Sequence, residues 1–129
     1  MKKPKIFIAC DTTSLTKVKK IIKQSQTTKI KIGYKFGLEF MNSKNGRQFI
    51  SKLKNKIIFV DLKLNDTVNT MLSAVKALED LKINYLSVHI SSGLTALKAV
   101  KKVSKSTKII GVTTLTSLNN RDLRLIGYN

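Results

Sequence analysis

Hydrophobic positions along the chain switch repeatedly between two spacings. Short apolar or alternating runs at KIFIAC (Lys5 to Cys10), KIKIG (Lys29 to Gly33), IIFV (Ile57 to Val60), NYLSVH (Asn84 to His89) and KIIGVT (Lys108 to Thr113) predict five strands. Between them, apolar residues recur three and four apart, the spacing of a helix face. Leu15, Val18, Ile21 and Ile22 predict a first helix, with N-cap chemistry at Thr12 to Ser14. Phe49, Ile50 and Leu53 predict a short second one after an Asn42 to Gly46 loop. The longest apolar face belongs to Val68, Met71, Leu72, Val75, Leu78 and Leu81. After a Ser91-Ser92-Gly93 turn, Leu94, Leu97, Val100 and Val103 predict a further helix. Ser117 is placed to cap a last one containing Leu118, Leu123, Leu125 and Ile126. The stretch from Gly33 to Met41 follows neither spacing.

Strand and helix in alternation imply a parallel sheet joined by right-handed crossovers. Two α/β architectures fit: an open doubly wound sheet, or part of a closed (β/α)8 TIM barrel. Residues 1–129 read as a single domain. Both architectures bind ligands at the C-terminal ends of their strands. Polar residues gather at those predicted ends: Asp11, Lys31, Asp61 with Lys63, His89, and Thr113 to Thr116. The first strand's turn has no G-x-G-x-x-G, and no G-x-x-x-x-G-K-[ST] occurs, which argues against dinucleotide and P-loop sites.

Composition narrows the classes further. Hydrophobic residues make up 42%, enough for a packed core. The basic start, Met1 to Lys5, is followed by an apolar run that stops at Asp11, too short for a signal peptide or a membrane span. A cytoplasmic protein without a membrane partner is expected. The one cysteine, Cys10, cannot pair internally and reads as a small core residue rather than a nucleophile. The formal charge of +18 suggests anionic partners. Yet of 25 basic residues only Arg47, Arg121 and Arg124 are arginine, and aromatics are 6%. Base readers draw on arginine and stacking, so no specific nucleic-acid partner is expected. His89 reads as a strand-end histidine and predicts no metal site. Gly33 and Gly111 read as close-packing or strand-end positions. Lys29 shares a face with Lys31, of which only Lys31, nearer the strand's end, is expected to be functional.

The densest chemistry is Asp61-Leu62-Lys63-Leu64-Asn65-Asp66. It puts two carboxylates and an amine at the exit of an apolar strand, where an uncompensated charge is costly. Asp61 and Lys63 share one strand face. The spacing fits an active site and fits equally a strand-end salt bridge with an N-cap aspartate.

DLKLNDTVNT (Asp61 to Thr70) resembles the D-x-K-x-x-D signature of the orotidine monophosphate decarboxylase family and the threonine-ended turn after it. KIGYKFGLEF (Lys31 to Phe40) resembles that family's second-strand segment. IACD (Ile8 to Asp11) and LTS (Leu115 to Ser117) are similar to its first and fifth strand ends. The resemblance covers nearly the whole chain and implies the first five units of a TIM barrel. It also implies cofactor-free decarboxylation of orotidine 5′-monophosphate to UMP in pyrimidine biosynthesis. Lys63 would protonate C6 once carbon dioxide leaves, with Asp61 beside the substrate carboxylate. Asp66 would reach the neighbouring site of a homodimer. Lys31 would complete the charge array and bind the ribose with Asp11. Thr116 would touch the pyrimidine, and Thr70 would lie near the phosphate-side ribose contacts.

The family commonly has His-Asp-Ile-Pro where this chain has Asn65-Asp66-Thr67-Val68. A complete barrel has about 250 residues, so the later strands and the family's phosphate-gripping loop are expected outside this stretch. Strands one and five would then be open edges. Two other readings share the residues. A metal-dependent sugar-phosphate lyase would use the same D-x-K-x-x-D for an enediolate, and a basic domain would bind polyanions without catalysis.

Overall fold

A computed structural model describes residues 6–128. Lys5, where the first strand was expected to begin, lies outside them. The elements run β1 (Ile6–Ala9), α1 (Leu15–Gln24), β2 (Ile32–Gly37), α2 (Leu38–Met41), α3 (Gly46–Ser51), β3 (Ile57–Leu64), α4 (Val68–Ala77), β4 (Tyr85–His89), α5 (Leu94–Val103), β5 (Lys108–Val112) and α6 (Asn120–Leu125). One-turn 3-10 segments, Glu79–Leu81 and Ile90–Ser92, flank β4.

All pairings are parallel and the strand order is β1-β2-β3-β4-β5. A doubly wound sheet reverses its order at a switch point. This one never does, which leaves the barrel arc. Sequential order with right-handed crossovers puts every crossover helix on the same face. There Tyr34, Phe36, Ile58, Val60, Leu86 and Val88 of the strands pack against Val18, Ile22, Met71, Val75, Ala96 and Val100 of the helices. On the other face Phe7, Phe59 and Tyr85 form an edge-to-face trio with centroids 5.2 to 6.3 Å apart. Gly33 lies beneath it, where a Cβ would run into the Phe7 ring.

Three local expectations are corrected. β2 is not Lys29 to Gly33; it starts at Ile32 and takes in the stretch without a visible period. Pairing begins only at Ile6 with Ile32 and Gly33 with Ile57. The alternation does continue, as Tyr34 and Phe36 on the core side and Gly33, Lys35 and Gly37 on the other, but the glycines hide it from a hydropathy reading. α3 starts at Gly46, inside the expected loop, because only a glycine fits there: a Cβ would meet the Phe40 carbonyl oxygen. The last helix is capped by Asn119, not Ser117. Asn119 accepts from the Arg121 and Asp122 amides, and Asp122 accepts from the Asn119 amide, a capping box.

Among the described residues no helix is long and apolar enough to cross a membrane.

Candidate active site

β3 delivers Asp61 to the face opposite the helices, near the C-terminal end of the sheet, in register with Gly37 at the end of β2. Asp61 is buried, so its charge needs donors. It has three. The Ser87 hydroxyl donates to Oδ1 at 2.7 Å, Lys63 Nζ to Oδ2 at 3.0 Å and Lys35 Nζ to Oδ2 at 3.3 Å. Lys35 also lies 3.5 Å from Asp11 Oδ1. The Cys10 amide, bonded to the Lys35 carbonyl at 2.8 Å, holds that end of the chain in place. Asp11, Lys35, Asp61 and Lys63 thus form a row of alternating charges across three strand ends.

Burial by itself would raise the Asp61 pKa. The hydrogen bonds from Ser87, Lys63 and Lys35, with the Lys63 charge, outweigh it and hold the carboxyl below its ordinary value. Asp61 is therefore ionised at neutral pH. The Cys10 thiol is pushed up to about 11, first by burial and then by Asp11, against the pull of Lys35. That is the behaviour of a core thiol and not of a nucleophile.

Lys63 is unusual in its backbone. Its φ is +49°, a left-handed conformation that costs a non-glycine residue about 1–3 kcal/mol. It lies in a bulge: β3 advances from Val60 to Leu64 while β4 advances only from Leu86 to Val88.

The expected site residues divide into groups. Asp61, Lys63 and Asp11 come together, with Lys35 between them. Lys31 does not join them. It precedes β2 at the opposite end of the sheet, lining a cleft with Lys29, Asn55 and Lys56. Its assignment to a strand's C-terminal end followed from ending β2 at Gly33. Asp66 is exposed in the β3–α4 turn, where Oδ1 accepts from the Thr67 amide at 2.6 Å. It is not the helix cap; that position belongs to Thr67. Thr70 is exposed in the first turn of α4, its hydroxyl 3.0 Å from that of Thr67. Thr116 is exposed in the turn beyond β5. His89 ends β4, half-buried.

Two residues of the cluster escaped the sequence reading. Lys35 had a signal, because Lys35-Phe36-Gly37 repeats Lys31-Ile32-Gly33 four residues on. Ser87 had a weaker one, a lone hydroxyl between Leu86 and Val88 in an apolar strand.

Comparison with known proteins gives one result. The family described as orotidine 5′-phosphate decarboxylase / HUMPS matches residues 4–127. The orotidine 5′-phosphate decarboxylase of Malacoplasma penetrans is 36% identical over 132 aligned residues, covering 96% of this chain and 55% of that protein. The enzyme of that name from the Wolbachia of Brugia malayi is 39% identical, covering 95% and 55%. Among solved structures, Lactobacillus acidophilus orotidine 5′-phosphate decarboxylase superposes with a TM-score of 0.76 at 30% identity, over 95% of this chain and 58% of that one. Methanocaldococcus jannaschii orotidine 5′-monophosphate decarboxylase, complexed with inhibitor BMP, gives 0.71 at 28%, over 87% and 53%. This chain spans little more than half the length of these relatives, and its five β/α units correspond to the N-terminal part of their barrel.

Proposed function

The chain belongs to the orotidine 5′-phosphate decarboxylase / HUMPS family, and on that premise we propose that it carries the proton-donating centre of a decarboxylase turning orotidine 5′-monophosphate into UMP and carbon dioxide. The observation that carries this reading is the row Asp11, Lys35, Asp61 and Lys63, with Lys63 Nζ held 3.0 Å from an ionised, buried carboxylate.

In the reaction the C6–carboxylate bond breaks, its electron pair stays on C6 and carbon dioxide departs. Lys63 Nζ gives a proton to C6 and regains one from solvent. A cation already in place stabilises the carbanion as it forms, with little reorganisation. Asp61 keeps Lys63 protonated and positioned. It would also lie beside the substrate carboxylate, so loss of that negative group relieves repulsion. Lys35 takes the ribose-binding role first read onto Lys31, with Asp11 beside it. Asp66, exposed and outside the row, is free to enter the site of a second copy in a homodimer. Thr70 and Thr116 serve the ribose and the pyrimidine. No cofactor has a part in this scheme.

The family's double name keeps the sugar-phosphate lyase as a second reading. It needs a divalent ion at the paired carboxylates. Asp61 already receives three donors, two of them ammonium groups, and a dication would have to displace them. This favours the decarboxylase.

The test is loss of the orotidine 5′-monophosphate chromophore, for the chain alone and combined with a polypeptide supplying the later β/α units of a relative. Turnover resistant to chelators and lowered about 10²–10⁴-fold in Lys63→Ala is expected. Absence of turnover in the completed barrel, or an unaffected Lys63→Ala, would overturn the proposal.

A further inference from the structure

We propose that Ser87 is a positioning residue whose one hydroxyl ties the Lys63 backbone to the Asp61 carboxylate and so fixes where both charges stand. The kinetic part of this rests on the decarboxylase reading; the structural part does not.

Three residues of β3, Asp61 to Lys63, bulge opposite the single residue Ser87. A bulged residue loses its ladder partner, and its amide must find another acceptor. The Lys63 amide finds Ser87 Oγ at 2.8 Å. An amide can only donate, so Ser87 accepts there. Its own proton is left for Asp61 Oδ1, 2.7 Å away. Lys63 Nζ then donates to Oδ2 of the same carboxylate. The result is a ring: Lys63 amide to Ser87, Ser87 to Asp61, and the Lys63 ammonium back to Asp61. Two paths of donation leave Lys63, one through Ser87 and one direct, and they converge on the two oxygens of the Asp61 carboxylate, which the ionised form accepts best. Ser87 has no exposed surface, and a core strand position between Leu86 and Val88 has no need of a hydroxyl. The ring gives it one. It also holds the left-handed Lys63 backbone, from which the ammonium is aimed.

The first measurement needs no substrate: amide exchange at Lys63 and carboxyl titration of Asp61, both by NMR on the full chain. The Lys63 amide is expected to exchange slowly. In Ser87→Ala it should exchange at least about tenfold faster, and the Asp61 titration should move up toward the ordinary carboxylate range. Ser87→Thr, which keeps the hydroxyl, should restore both. In the completed barrel, Ser87→Ala should lower kcat about 10–100-fold, leave KM nearly unchanged, and shift the acid limb of the rate profile to higher pH. A general loss of packing would not move that limb. Fast exchange of the wild-type Lys63 amide would overturn the proposal, and this measurement decides the matter even if Ser87→Ala fails to fold. A folded Ser87→Ala with unchanged Asp61 titration would overturn it too. If the completed wild-type barrel has no activity, the decarboxylase reading fails, while exchange and titration still decide the clasp.

Discussion

Lys35 bridges two carboxylates, and each lysine near β2 makes a separate prediction. Charge-assisted hydrogen bonds contribute about 1.5–3 kcal/mol. Lys35→Ala should therefore raise KM for orotidine 5′-monophosphate roughly 10–100-fold in the completed barrel. Lys31→Ala, at the far end of the sheet, should leave it unchanged; steady-state kinetics of the two variants side by side decides. Asp61 makes a prediction about pH. Its folded-state pKa lies below the ordinary value of 3.8, so between the two values the unfolded chain binds the extra proton. The stability Asp61 contributes is full above pH 3.8 and is lost as pH falls through the folded value. Urea midpoints should show Asp61→Asn destabilised at pH 7, with the gap to wild type closing only well below pH 4. The motif Asp61 to Asp66 was legible as chemistry because charges at the end of an apolar run are conspicuous. Lys35 was not, because glycines at 33 and 37 broke the hydrophobic period that would have shown its strand. Ser87 was hidden because a lone hydroxyl in an apolar strand is a weak signal, whose use shows only when a bulge sets an amide opposite it.

Among the elements, β3 departs furthest from ideal geometry. Its left-handed residue is a lysine, and glycine is the residue that takes this conformation without steric cost. Comparing Lys63→Gly with Lys63→Ala removes the same charge from both. The glycine variant should be the more stable by about 1 kcal/mol, the reverse of the usual order in a strand. Chemical denaturation measures this directly. At α3 the constraint has the opposite sense. Gly46 has no room for a Cβ beside the Phe40 carbonyl, so Gly46→Ala should cost about 1–3 kcal/mol. Element order and type followed from the spacing of apolar residues at every crossover but the one from β2 to β3, where the short α2 carried no visible period. Boundaries failed where one residue type did two jobs: Gly46 read as a loop and started a helix, and Gly37 ended a strand while serving as the α2 cap.

At the scale of the whole molecule, two opposing features stand out. β1 pairs only with β2 and β5 only with β4, so the described sheet has two open edges. Its helix-free face presents the Phe7, Phe59 and Tyr85 rings, half-buried. Both features favour association of this stretch expressed alone. The charge of +18 opposes it. Raising the salt screens the repulsion and leaves the apolar attraction. Sedimentation should therefore show larger species as ionic strength rises, and adding the later units of a relative should suppress them. Length and charge were readable from composition. The strand order was not, since alternation alone permits both an arc and a doubly wound sheet.

That strand order bears on how the chain comes into being. Ile6 pairs with Ile32, Gly33 with Ile57, Phe59 with Tyr85 and Tyr85 with Lys108, so each pairing closes a loop of about 25 residues. Within the described sheet no pairing waits for a distant strand. During synthesis at about 5–20 residues per second, each new strand leaves the ribosome a few seconds after the neighbour it docks on. The polypeptide can then fold in the order in which it is made, and Ser87 reaches Asp61 one unit after Asp61 itself has emerged.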